Sequence, residues 1–115
     1  MENNKLRVIQ DYDKLSEDIQ EQIKLVYPEG FSQHLIKFNN ARGEKVSALP
    51  FETFDKIYMV RMSVHKAIQI IEDDMDYDEE GNLRESKKEK YEDKYDDIDY
   101  LSENENYEEE WSLDD

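Results

Sequence analysis

The acidic residues of this 115-residue chain are not spread along it, and that limits which part can fold as a unit. Residues 1–71 hold ten acidic and ten basic side chains. Residues 72–115 hold twenty-one acidic and five basic ones (Arg84, Lys87, Lys88, Lys90 and Lys94), so the whole net charge of −16 falls in the last 44 residues. Like charges at this density oppose compaction, whereas a neutral segment can collapse. The split predicts a compact domain over residues 1–72 and an acidic C-terminal extension over 73–115.

A neutral segment of about 70 residues is close to the lower limit for independent folding, with roughly 60% of its surface buried. Its apolar residues must be placed economically. Lys5–Gln10 is short, β-branched and partly alternating, which predicts a strand. Ser16 can cap a helix in which Leu15, Ile19, Ile23 and Val26 share one face, with Glu17, Asp18, Gln20, Glu21 and Lys24 on the others. Pro28 and Gly30 stop it. His34–Phe38 and Lys45–Leu49 read as a hairpin around Asn39–Glu44. Pro50 has no N–H, so the second of these strands is expected to end there or to lie at a sheet edge. Lys56–Met62 is the most strand-like segment. Ser63 then caps a second helix, with Val64, Ala67, Ile68 and Ile71 on one face. The order β-α-β-β-β-α predicts an α+β fold: a small antiparallel sheet covered by two helices on one face. Beyond residue 72, residues 86–101 lack proline and glycine, and Tyr91, Tyr95, Ile98 and Leu101 recur at helical spacing. A third helix is expected there, docked on the core or formed on binding, within an otherwise disordered tail.

Chemistry-bearing residues are few. The absence of cysteine excludes disulfides and thiolate metal sites. The N-terminus lacks the basic and apolar regions of a signal peptide, and apolar runs fall far short of the ~20 residues of a membrane span. The expected setting is therefore cytoplasmic. The stretch DDMDYDEEGNL (73–83) opens like an EF-hand calcium loop, with Asp76, Asp78 and Glu80 at positions 1, 3 and 5 and Gly81 at position 6. Its closing bidentate glutamate is missing, because Lys87 stands at position 12. Asp74, Asp76 and Asp78 also form overlapping Asp-x-Asp pairs, as magnesium sites for phosphoryl transfer do. No Gly-rich phosphate loop accompanies them, since the chain has three glycines. Metal candidates are thus Asp74, Asp76, Asp78 and Glu80, for Ca or Mg. His34 and His65 show no catalytic spacing. Lys37, Arg42, Lys45, Lys56 and Arg61 near Phe38 and Tyr58 could meet nucleic acid, but the acidic tail repels phosphate. The tail itself interleaves carboxylates with apolar anchors. Tyr91, Tyr95, Ile98, Leu101, Tyr107, Trp111 and Leu113 are the candidate residues for contact with a cationic protein surface.

The stretches VIQDYDKLSEDIQEQIKLVYPEGFSQHLIKF and SALPFETFDKIYMVRMSVHKAIQIIEDD resemble a group of short, acidic, largely uncharacterised bacterial proteins, some of which carry a DNA primase label. The resemblance runs through DYL near residue 101 and implies a bacterial setting. The label finds no motif in these residues: a zinc-bearing primase domain needs cysteine ligands, and a toprim-type domain needs its Asp-x-Asp after a strand. The expectation is a non-enzymatic accessory protein, without a cofactor. Its acidic tail would contact a basic surface of a nucleic-acid-binding protein in transcription, replication or translation. The alternatives are a nucleic-acid mimic, or a metal-binding protein or metal-dependent nucleic-acid enzyme using residues 73–80.

Overall fold

The computed structural model describes residues 5–98. The fold is α+β, as the order of patterns implies. The strands are β1 (Leu6–Asp11), β2 (Ile36–Asn39), β3 (Lys45–Glu52) and β4 (Lys56–Arg61), and the helices are α1 (Glu17–Val26), α2 (Val64–Asp73) and α3 (Glu85–Lys94). The four strands form one sheet in the order β1-β4-β3-β2. β2·β3 and β3·β4 are antiparallel, and β1 lies parallel to β4 from Leu6 opposite Lys56 to Asp11 opposite Arg61. That parallel pair departs from the fully antiparallel expectation. Its cause is the long path from β1 through α1 and the hairpin, which returns the chain to the same end.

Local chemistry sets the ends of these elements. Ser16 Oγ accepts a hydrogen bond from the Ile19 amide at 3.3 Å, and Ser63 Oγ accepts from the Lys66 amide at 3.0 Å. Each cap satisfies an N–H that the helix cannot, worth about 1 kcal/mol. In the β2–β3 turn Asn40 Oδ1 accepts from the amides of Arg42 and Glu44, both at 2.9 Å. Gly43 follows at φ +81°, where a side chain would be strained.

The strand β3 passes through Pro50 to Glu52 and is an inner strand, contrary to the expectation of an end or an edge. The reason is directional. The Pro50 carbonyl accepts from the Tyr27 hydroxyl at 2.6 Å. A strand residue's N–H and C=O point the same way, so the missing N–H also faces away from β4. On that side the paired register of β2 stops at Ile36 opposite Ala48, so no ladder bond is lost.

The core lies between the sheet and the helices. Ile23, Phe31, Leu49, Phe51 and Val60 are essentially fully buried, with Leu15, Tyr27, Ala67 and Ile71 around them. α2 is rotated from its expected setting. It buries Ala67 and Ile71 and packs Ile70 against the core, while Val64 and Ile68 remain 49% and 45% exposed. Ile68 instead lines an open groove of about 420 Å³ between α2, residues 29–33 and residues 78–81.

The packing continues past residue 72, inside α2 and beyond it. Tyr77 and Leu83, within the acidic stretch, belong to the same core cluster, and Tyr91 and Tyr95 of α3 are also buried. No helix among the described residues is long and apolar enough to cross a membrane.

Candidate functional site

The stretch 74–83 is a built reversal of the chain. Asp74 Oδ1 accepts from the Asp76 amide at 2.9 Å, and Asp78 Oδ1 accepts from the amides of Glu80 and Asn82 at 2.9 and 3.0 Å. Gly81 supplies φ +85°. Tyr77 and Leu83 bridge across the reversal, and both side chains enter the core. The Tyr77 hydroxyl donates to the Tyr27 carbonyl at 3.0 Å, and the Leu83 amide donates to the Pro28 carbonyl at 2.7 Å. Burying Leu83 contributes about 1.5–3 kcal/mol. Acidic spacing in this stretch therefore serves turn formation, with its apolar residues aimed inward.

Two of its carboxylates leave the turn and meet α1. Lys24 Nζ lies 2.7 Å from Asp74 Oδ2 and 2.8 Å from Asp76 Oδ2. The Tyr91 hydroxyl of α3 donates to Asp76 Oδ2 at 2.7 Å, and Lys87 Nζ stands 3.8 Å from Asp76 Oδ1. Burial opposes ionisation of Asp76, but hydrogen bonds from Lys24 and Tyr91 outweigh it and hold the carboxyl below its usual value. Burial likewise lowers Lys24, and its bonds to Asp74 and Asp76 overcome that and raise it. Tyr91 is pushed up by burial first and by its hydrogen bond to Asp76 second. Lysine ammonium groups thus stand where a bound cation would. Lys87, at the twelfth position of the calcium pattern, points its charge at the aspartate of the first.

A second cluster fastens the far end of α3. Tyr95 Oη donates to Glu21 Oε1 at 2.7 Å, with Asp18 Oδ1 at 3.2 Å. Lys94 Nζ is 2.9 Å from Glu21 Oε1 and 3.7 Å from Asp18 Oδ1. Tyr12 sits beneath the first cluster with a buried hydroxyl that has no hydrogen-bond partner among the described residues. Its acidity is suppressed by burial first, then by the nearby charges of Asp74 and Asp76.

The expected site residues are distributed as follows. Asp74 and Asp76 come together on Lys24. Asp78 closes its own turn, where backbone N–H groups hold it in the ionised form, and Glu80 is exposed. Among the described residues no three His, Asp or Glu side chains converge as a metal ligand set. Tyr91 and Tyr95 face inward and are spent on α1 and the 74–83 reversal, so they are not surface anchors. Ile98 is half-buried at the end of the described chain, and Leu101, Tyr107, Trp111 and Leu113 lie outside it. His65 is exposed, and His34 stacks against Tyr27 at 5.0 Å between ring centres. The residues that hold the site together, Lys24, Glu21 and Tyr12, carried no functional expectation. One faint signal existed: Tyr91 and Tyr95 are four apart on an otherwise polar helix, which marks the face that must find partners.

What the site does chemically is hold charge. Asp74, Asp76 and Glu21 are paired with a lysine, Asp76 and Glu21 also accept from a tyrosine, and Asp78 is held by backbone amides. Ten others between Glu72 and Asp97 stay exposed: Glu72, Asp73, Glu79, Glu80, Glu85, Glu89, Glu92, Asp93, Asp96 and Asp97. Comparison of the chain with family models, with curated proteins and with solved structures finds no match in any of the three.

Proposed function

We propose that the protein is a non-enzymatic accessory protein that recognises a basic protein surface. A nucleic-acid-binding partner in the transcription, replication or translation machinery fits that chemistry. The supporting observation is the surface left once the internal pairs are made. Ten exposed carboxylates lie between Glu72 and Asp97, and the same stretch carries Met75, an apolar side chain 85% exposed. Dispersed charge alone would keep a domain soluble, whereas an exposed apolar side chain within an acidic stretch has the composition of a docking segment. Residues 99–115 add eight acidic side chains and no basic one, with Leu101, Tyr107, Trp111 and Leu113 among them.

The test is capture from a cell extract by the full chain and by a chain ending at residue 98. The reading expects basic nucleic-acid-binding proteins, held in a salt-sensitive way and depleted when 99–115 is removed. Identical captured sets, or no enrichment of basic proteins, would overturn it. The same surface also supports a nucleic-acid mimic, in which its carboxylates would take the place of phosphates on the partner. Added nucleic acid then competes the captured partners away. A metal-dependent reading requires Asp74 and Asp76 to exchange Lys24 for a divalent ion, and loses support accordingly.

A further inference from the structure

The groove beside α2 is what the packing of that helix leaves open. Ala67 and Ile71 turn into the core, whereas Val64 and Ile68, one helical turn apart, lie outside the core cluster and stay about half exposed. Ile68 lines the groove together with the buried Phe31, Ala67 and Ile71. Its volume of about 420 Å³ lies within the range of ligand pockets. Backbone contacts fix its walls. The Leu83 amide ties the 74–83 reversal to the Pro28 carbonyl at 2.7 Å. Gly30 and Gly81 come so close that a Cβ on Gly30 would lie 3.8 Å from the Gly81 carbonyl oxygen. A recess held in this way needs little ordering when it is filled.

Charge identifies the occupant. Glu29, Glu72, Glu79 and Glu80 stand exposed on the rim, and among the described residues no lysine or arginine lines the groove. None of the four makes an ion pair among the described residues. They differ in this from Asp74, Asp76 and Glu21, whose charge is matched by lysines inside the fold. Unmatched carboxylates around an apolar floor repel an acidic or phosphate-bearing ligand. They favour an apolar side chain that arrives with cations on either side of it.

We propose that this groove binds a basic segment of a protein partner. One aliphatic or aromatic side chain of the segment sits against Ile68, Phe31 and Ile71, and flanking lysine or arginine side chains meet Glu29, Glu72, Glu79 and Glu80. The proposal rests on the reading of the protein as one that recognises basic surfaces, and it names the place where the partner is read. The seated apolar side chain supplies affinity, and the rim charges supply orientation and rate of encounter.

The test is selection of a random peptide library, displayed on phage, against the full chain. Enriched peptides are expected to carry an aliphatic or aromatic residue between lysines or arginines. Their binding, read by fluorescence polarisation, is expected to fall at least about tenfold in Ile68→Gln and to return in Ile68→Leu. Ile68 is 45% exposed and outside the core cluster, so both variants are expected to melt as the wild type does. Glu72→Gln combined with Glu79→Gln is expected to weaken binding several-fold and to flatten its salt dependence. Glu89→Gln combined with Glu92→Gln, at exposed positions of α3, is expected to leave it unchanged. Failure to enrich any peptide, enriched peptides without flanking cations, or equal binding by Ile68→Gln would overturn the proposal. If Ile68→Gln captures the same basic proteins from extract as the wild type, the groove is wrong and the accessory reading stands. If selected peptides bind the groove but the full chain captures no basic protein, the accessory reading fails and the groove stands. A dimer in sedimentation that Ile68→Gln dissociates would make a second copy the occupant and overturn the proposal.

Discussion

Replacing Lys24 by methionine removes the cation on which Asp74 and Asp76 converge. Methionine keeps the length and apolar body of the side chain, so the change isolates the charge. Removing one partner of a fully buried pair costs about 3–5 kcal/mol, because the other charge is left uncompensated. Here the three side chains retain 10–19% of their exposure, and Lys87 at 3.8 Å still offers partial compensation to Asp76. The expected loss is therefore about 2–4 kcal/mol at pH 7, read from urea denaturation. The pH dependence has a sign. Asp76 has a lowered folded pKa, so its contribution is present above the usual carboxylate range and is lost as pH falls through the lowered value. Lys24 has a raised one, so its contribution is present below the usual lysine value and is lost as pH rises through the raised value. Between those limits the wild-type bridge is constant. In Lys24→Met the two carboxylates share a site without a cation and resist joint ionisation, so the mutational loss is larger at pH 8 than at pH 5. A loss under about 0.5 kcal/mol, the scale of an exposed ion pair, or one independent of pH, would refute the reasoning.

Tyr95→Phe deletes the buried hydrogen bond to Glu21 and is expected to cost about 1.5–3 kcal/mol in the same assay, the range for bonds to a charged group. Gly30 sits at φ +107°, and a Cβ there would meet only the Gly81 carbonyl oxygen at 3.8 Å. Gly30→Ala is therefore expected to cost about 1–3 kcal/mol through backbone strain alone, seen as a lower melting temperature. Calorimetric titration with calcium or magnesium is expected to show no saturable heat at micromolar concentration, since Lys24 and Lys87 occupy Asp76 and backbone amides occupy Asp78.

Local signals in the sequence located the elements well. The Ser16 and Ser63 caps, the Asn40–Gly43 turn and the four-residue spacing of α1 all act within a few residues, and each lies where its pattern puts it. The third helix was legible in kind, although it begins at Glu85 rather than Ser86 and is regular only to Lys94. Its N-cap, Arg84, makes no capping bond to the helix and turns its side chain to the Met75 carbonyl instead, so no cap residue marked the start. What escaped were relations between distant residues. The lie of β1 beside β4 joins residues 50 apart, and no local pattern encodes it. The same is true of Lys24 with Asp76 and of Tyr95 with Glu21. Lys24 and Glu21 read as solvated faces of an amphipathic helix until α3 is laid over them. The charge split at residue 72 is genuine in composition, but the chain past it mixes two populations: carboxylates held by α1 and carboxylates left outside. Only packing separates them.

The central claim is that the acidic stretch from Asp74 to Tyr95 is built into the fold through the 74–83 reversal and α3, and from there displays its remaining charge. Amide hydrogen exchange on the full chain tests it most directly. The Leu83 amide, bonded to the Pro28 carbonyl at 2.7 Å, and the Tyr95 amide, bonded to the Tyr91 carbonyl at 3.0 Å, are expected to be protected together with the amides of α1, and to lose that protection together in Lys24→Met. Exchange of both amides at the rate of an unstructured peptide, while the strand amides stay protected, would contradict the claim.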